Sequence, residues 1–174
     1  ASTVVLLRDT HNGMETLMLK RNKALMFAGG LWVFPGGALE PTDIDEADGN
    51  MDTAARIAAA REAEEECGLR PDLVKMVHLS RWTTPVVEPK RFQTWIYAAP
   101  LAESSEVEID GSEIHDFCWI GGTWRWQFVK NQMCKSKAVL DHSDIRIRSY
   151  SFFQIPIYVN LSCMCLIMIS SFFK

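Results

Sequence analysis

The segment that most restricts the folds open to this chain is residues 52–68, a helix whose two ends are both marked in the sequence. Asp52 or Thr53 can cap its start, and Gly68 is placed to end it at about Cys67. Ala54, Ala55, Ala58, Ala59 and Ala63 give it a thin face, suited to close packing against a sheet. Its far end reads Arg61-Glu62-Ala63-Glu64-Glu65-Glu66-Cys67-Gly68-Leu69. Glu62, Glu65 and Glu66 stand at i, i+3 and i+4, so their side chains emerge on one helical face, while Glu64 is offset and expected in solvent. Three neighbouring carboxylates repel one another, and in a last turn they also oppose the helix dipole. From the residues alone two readings stay open. One is a solvated acidic helix end, partly neutralised by Arg61 and Arg56; the other is a ligand set for a hard divalent cation such as Mg²⁺, which prefers carboxylate oxygens.

The helix needs a sheet, and the flanking sequence supplies strands. Residues 3–8 form a β-branched apolar run, His11-Asn12-Gly13 offers a turn, and residues 16–20 read as the hairpin partner. Phe27-Ala28-Gly29-Gly30 breaks the chain before a short strand at residues 31–34. Pro35-Gly36-Gly37 follows, where missing side chains permit close backbone approach. Residues 40–50, acidic and carrying Pro41 and Gly49, are expected to be a loop, and further strands are predicted at 74–82, 92–99 and 114–120. Strands, helix, then strands favours an α+β fold with a mixed β-sheet, α/β/α sandwich-like, over an alternating βαβ array.

A chain of 174 residues suits one compact domain, and a net charge of −4 argues against binding a nucleic-acid backbone. That net charge hides a break near Gly121-Gly122. Residues 1–120 carry 20 acids against 11 Lys/Arg, whereas residues 121–174 carry 2 against 7 and no glutamate. The expected organisation is therefore a domain at 1–120, truncated at its C-terminal side, and an atypical tail at 121–174. Residues 149–173 are 25 consecutive uncharged residues, longer than the about 20 needed for a membrane span but interrupted by Gln154, Pro156, Asn160 and several serines. A membrane anchor, a foreign tail and continuing core strands are the three readings, and the composition break favours the second. The cysteines at 67, 118, 134, 163 and 165 are odd in number and lack metal-ligand spacing, which reads as reduced thiols. The expected location is the cytoplasm, or an organelle matrix for a eukaryotic source. No basic-then-apolar leader precedes the strand-like Ala1-Ser2-Thr3-Val4-Val5, and the missing initial Met reads as trimming or as a fragment cut close to the first strand.

The carboxylate helix and the Pro-Gly-Gly turn together reach a family pattern. The chain resembles the Nudix hydrolases, whose box reads G-x5-E-x7-R-E-U-x-E-E-x-G-U with U aliphatic. Gly37 matches the leading glycine, and Arg61, Glu62, Glu65, Glu66, Gly68 and Leu69 match the second half residue for residue. Two departures stand out. Ala63 occupies the first U position, and the arginine lies at 61 instead of 51, so ten residues are inserted and the mid-box glutamate position counted from Gly37 holds Asp43. Leu19-Lys20-Arg21 and the run from Phe27 to Gly37 are similar to the branch containing coenzyme A diphosphatases. The acidic insert, Trp82-Thr83-Thr84-Pro85 and Arg91-Phe92-Gln93-Thr94 are similar to its acyl-CoA diphosphatase subgroup in animal peroxisomes and mitochondria. This resemblance covers roughly residues 2–120; the subgroup's continuation beyond Trp119 is not recognisable here.

The resemblance implies a Nudix fold with a catalytic helix and metal-dependent hydrolysis of a diphosphate linkage in a nucleoside-diphosphate-linked substrate, CoA or acyl-CoA being favoured. It implies Mg²⁺ or Mn²⁺ held by Glu62, Glu65, Glu66 and the Gly37 carbonyl, with charge on the diphosphate neutralised and water made more acidic. Arg61 would orient Glu62 or Glu65 through a charge-assisted hydrogen bond. The general base would be one of these glutamates or Glu113, with Glu106 and Glu108 as competitors. Gly36, Gly37, Arg21 and Arg91 would face substrate, since a guanidinium fork matches phosphate, surface ion pairs being the plainer role for both arginines. The insertion, Asp43 and the shortened domain motivate a second expectation, a catalytically weak nucleotide- or CoA-binding module. The expected partner is a small diphosphate-bearing molecule and not nucleic acid; a homodimer is allowed for, and a membrane only if residues 149–173 are an anchor. A P-loop NTPase and a serine hydrolase are excluded, because neither Gly-x-x-x-x-Gly-Lys nor Gly-x-Ser-x-Gly occurs.

Overall fold

Two strands joined through His11 and Asn12 start the sheet. In this computed structural model β1 (Ser2–Thr10) and β2 (Gly13–Arg21) pair antiparallel, with Thr10 opposite Gly13. The structure describes residues 1–25, 29–83 and 92–121. The expectations for Arg91 and for the tail fall outside these residues. After the hairpin come β3 (Trp32–Val33), β4 (Gly36–Gly37), α1 (Pro41–Glu46) and α2 (Met51–Cys67). A 3₁₀ turn at Leu73–Lys75 then leads to β5 (Val77–Thr83), β6 (Gln93–Leu101) and β7 (Ile114–Gly121).

The sheet runs β3-β2-β1-β6-β5, with β4 paired to the start of β1 and β7 to β2. β1 and β6 are parallel, from Ser2 opposite Trp95 to Arg8 opposite Leu101, while the other pairs are antiparallel. The sheet is therefore mixed and the fold α+β, as expected. Side-chain alternation splits it into two faces. Val4, Leu6, Leu17, Leu19, Trp95 and Tyr97 pack with α2, and Met18, Phe34, Val5 and Cys118 gather separately. The helices described both lie on one side, so the second helical layer of an α/β/α sandwich is not among the described residues.

The alanine face does what its volume allows. Ala54, Ala55, Ala58, Ala59, Ala60 and Ala63 are all fully buried, and the backbone of α2 lies close to β1, β4 and β6. A larger side chain there would push the helix off the sheet, at about 1–3 kcal/mol for such overpacking. Tyr97 on β6 fastens the start of α2 by donating its hydroxyl to Asp52 Oδ1 at 3.0 Å. Gly68 ends the helix at φ 71°, where its N–H reaches the Glu64 carbonyl at 2.9 Å.

Three expectations need correction. The cap of α2 is Asn50, whose Oδ1 accepts from the N–H groups of Asp52 and Thr53, each at 3.1 Å. The segment expected as a loop contains α1, because Pro41 fits a first helical turn and Asp43 turns back to accept from Glu40 N–H at 2.8 Å. Arg56 does not neutralise the glutamate cluster. It pairs with Asp52 at 2.9 Å and donates to the Met76 carbonyl at 2.5 Å, tying α2 to the chain that enters β5.

Candidate functional site: a carboxylate face against a diglycine strand

α2 directs Glu62 and Glu66, one turn apart, toward β4, where the two glycines admit them. A Cβ on Gly37 would stand 2.3–2.6 Å from the Glu62 carboxylate. Gly36 is confined from the other side, since its Cβ would meet the Ser2 carbonyl oxygen at 2.5 Å and Thr3 Cα at 2.7 Å on β1. The Gly36 N–H donates to Glu66 Oε2 at 3.0 Å. Absent side chains thus let helix carboxylates touch strand backbone directly.

The three glutamates differ sharply in environment. Glu66 is 7 % exposed, Glu62 is half-buried, and Glu65 reaches solvent. Glu64 is exposed, as expected, and it pairs with Arg70. Burial pushes the Glu66 carboxyl up to about 8; Glu62 and Glu113 add to the rise, against the Gly36 N–H and Arg21. The Glu62 carboxyl is also raised, by burial first, with Arg61 opposing and Glu65 and Glu113 reinforcing. A buried carboxylate beside like charges favours its protonated form unless a cation joins it.

Arg61 is the cationic centre of this end of the helix. Its Nε and Nη2 each stand 3.2 Å from Asp43, one on each carboxylate oxygen. Nη2 also donates to the Ala38 carbonyl at 3.1 Å, and Nη1 lies 3.1 Å from Glu62 and 3.3 Å from Glu65. The guanidinium is held more firmly charged than usual, by the Asp43 hydrogen bonds first, against burial, with Glu62 and Glu65 adding. Asp43 itself is 2 % exposed. The residue that takes the mid-box glutamate position counted from Gly37 is therefore a buried anchor of the box arginine, and the inserted residues fall after it. The pairing joins positions 18 apart, and the acidic composition of residues 40–50 gave no sign of which acid it would use.

Arg21 and Glu113 join the cluster from the opposite side. Arg21 is 3.7 Å from Glu66 and 3.3 Å from Glu113, with its side chain 16 % exposed. The guanidinium read as a phosphate ligand is already engaged by two carboxylates, and its buried Nε has no hydrogen-bond partner among the described residues. Glu113 is thereby brought to the Glu62–Glu66 face, although it lies far away in sequence. Glu108 sits instead against Gly68 at the end of α2, and Glu106 is exposed in the same loop.

The donor set of Glu62, Glu65, Glu66 and the Gly37 carbonyl is all oxygen, which fits a hard divalent cation in chemistry. The side chains do not stand as a ready cage: among the described residues no three His, Cys, Asp or Glu groups are placed to hold a metal ion together. Arg61 occupies the space between Glu62 and Glu65, so cation binding there requires a shift of these side chains. Among the described residues no helix is long and apolar enough to cross a membrane.

Comparisons with known proteins agree with this architecture. The family model described as NUDIX domain matches residues 1–121. "Putative nudix hydrolase 7" of Caenorhabditis elegans is 26% identical over 141 residues, 61% of this chain and 46% of the relative. The chain thus spans about half the length of that curated relative. A NUDIX hydrolase from Alicyclobacillus acidocaldarius superposes with a TM-score of 0.64 at 22% identity, over 76% of this chain and 82% of that one. The NUDIX domain of Shewanella oneidensis NrtR, complexed with ADP ribose, superposes with a TM-score of 0.54 at 17% identity, over 75% of each chain. With a family match over most of its length, and a mixed sheet that sets the carboxylate helix against Gly36-Gly37, this chain belongs to the Nudix family.

Proposed function

We propose that this protein is a Mg²⁺- or Mn²⁺-dependent hydrolase of a diphosphate linkage in a nucleoside-diphosphate-linked compound, with CoA or acyl-CoA the favoured substrate. The observation that carries the reading is the contact of the Glu62 carboxylate with Gly37, beside a Glu66 carboxylate 7 % exposed. Such a buried acidic face is costly without a cation. Glu62, Glu65, Glu66 and the Gly37 carbonyl would hold that cation, which when bound supplies charge neutralisation at the diphosphate oxygens and acidifies water. Arg61, anchored on Asp43, holds Glu62 and Glu65 in place. Glu113 is the candidate to accept a proton from the attacking water, from a position 3.3 Å from Arg21. Arg21 would then set the charge between Glu66 and Glu113 and reach substrate phosphate only by exchanging one of them. A nucleotide-derived diphosphate is supported by the ADP ribose bound to the Shewanella oneidensis NUDIX domain. The CoA preference rests on the sequence resemblance in residues 19–37 and in the insert, and a cytoplasmic or organelle-matrix setting is proposed on the same basis.

One observation favours a second reading, a nucleotide- or CoA-binding module with weak catalysis: Arg61 already stands between Glu62 and Glu65. A panel of CoA, NADH, ADP-ribose and nucleoside triphosphates with Mg²⁺ and Mn²⁺ separates the two. Metal-dependent release of 3′,5′-ADP from CoA, abolished in Glu65→Gln, supports the enzyme. Tight ligand binding without turnover at any metal concentration supports the module instead.

A further inference from the structure

Residues 110–113 are exposed throughout, yet they are fastened from three directions. From within the turn, Asp110 Oδ2 accepts from Ser112 N–H at 3.0 Å and Glu113 N–H at 2.8 Å, and also from the Ser112 hydroxyl. Its Oδ1 accepts from Ile114 N–H at 2.8 Å. From β2's end, Asn22 donates its N–H to the Glu113 carbonyl at 2.7 Å and its side-chain amide to the Ser112 carbonyl at 3.0 Å. From α2, the Glu66 and Cys67 carbonyls accept from Asp110 and Glu108 N–H groups at 3.4 and 3.0 Å. Ile114, the next residue, is fully buried, and the β2–β7 register slips there, pairing Arg21 with Ile114 and Lys20 with Asp116. The slip skips His115 in the β2–β7 ladder and brings Ile114 opposite Arg21.

We infer that Asp110 and Asn22 are positioning residues that hold the Glu113 carboxylate against the Glu62–Glu66 face. The inference rests on the reading of Glu113 as proton acceptor in the proposed hydrolysis. A long side chain on an exposed turn would otherwise sample many positions, and a base must lie within hydrogen-bond reach of the proton it takes. Misplacement by about 1 Å costs on the order of 100-fold in rate. The carboxylate of Asp110 is suited to the task because it stays ionised: burial works against it, but the Ser112 hydroxyl and the N–H groups of Glu113, Ile114 and Ser112 hold its carboxyl below the ordinary range.

The test is a kinetic cycle on the full chain, with CoA as substrate and Mn²⁺ as metal, using Asp110→Ala, Glu113→Gln and the double variant, each first shown to be folded by its thermal melt. Asp110→Ala is expected to lower kcat about 10- to 100-fold with little change in KM, and to add nothing once Glu113 is Gln. Asp110→Asn, which keeps an accepting Oδ1, should recover part of the loss and stands in if the alanine variant does not fold. Equal losses from Asp110→Ala in both backgrounds would show a structural role only and overturn the inference. Unchanged kcat in Asp110→Ala, with a loss in Glu113→Gln, would overturn it while leaving the reading of Glu113 intact. No loss in Glu113→Gln, alongside a loss in Glu66→Gln, overturns both the inference and that reading but spares the carboxylate face. If the wild-type chain turns over no CoA, amide hydrogen exchange decides: protection of Ser112, Glu113 and Ile114 should fall at least tenfold in Asp110→Ala, and unchanged protection overturns the clamp.

Discussion

Asp43→Ala isolates what the buried anchor of the box arginine contributes. The Asp43 carboxylate is 2 % exposed and accepts from Arg61 Nε and Nη2 at 3.2 Å each and from Glu40 N–H at 2.8 Å. A hydrogen bond to a charged group contributes about 1.5–3 kcal/mol, and loss of a helix-start bond about 1 kcal/mol. The sum overstates the effect, because the variant no longer buries a carboxylate and Arg61 keeps Glu62, Glu65 and the Ala38 carbonyl. A net destabilisation of about 3 kcal/mol is expected, which for a domain of this size lowers Tm by about 6–12 °C. Asp43→Asn keeps an acceptor for Glu40 N–H but not the charge, and should lose about half as much. Urea unfolding gives these values, and the cycle with Arg61→Ala gives the coupling, expected at about 1–2 kcal/mol. A change within about 0.5 kcal/mol of wild type, or a coupling near zero, would refute the claim that Asp43 anchors the arginine.

Other consequences follow from the same geometry. Gly36→Ala sets a Cβ against β1 backbone at 2.5–2.7 Å and should destabilise by about 1–3 kcal/mol, whereas Gly37→Ala meets the movable end of Glu62 and should cost less than about 1 kcal/mol while weakening Mn²⁺ binding at least tenfold; thermal melts and a Mn²⁺ titration of both variants check the contrast. Metal-free protein should lose stability as pH rises from about 5 to 8. The folded Glu66 carboxyl, at about 8, keeps a proton that the unfolded chain releases near its ordinary carboxylate value, so the native state binds more protons across that window. Glu66→Gln should flatten this slope, and a slope unchanged in urea unfolding at several pH values would count against it.

Much of α2 was legible because its signals are local: a C-terminal glycine, a run of alanines and three glutamates at helical spacing. The hairpin was legible for the same reason, through a β-branched apolar run and a turn. The misreadings came from relations that local chemistry does not announce. Pro41 with acids around it read as loop composition, although Pro at a first turn and an acid three residues past Glu40 is equally a helix start. The ten-residue insertion between Gly37 and Arg61 was legible, but counting along the chain cannot show that Asp43 folds back onto Arg61 before the insertion begins. Arg56 lies on a different side of α2 from Glu62, and its partners come from the chain entering β5. The Arg21–Glu113 pair joins positions 92 apart, and Asn22 and Asp110 carried no signal beyond an Asp-Gly turn.

The central claim is that the Glu62–Glu65–Glu66 face opposite Gly37 takes up a divalent cation used in cleaving a diphosphate. Mn²⁺ binding to the full chain, followed by electron paramagnetic resonance alongside CoA turnover, tests it most directly. Wild type should bind Mn²⁺ and release 3′,5′-ADP in proportion to the bound metal, and Glu62→Gln, Glu65→Gln and Glu66→Gln should each weaken binding and turnover together by about 10- to 100-fold. Mn²⁺ binding unchanged in all three variants, or turnover that persists in excess chelator, would contradict it.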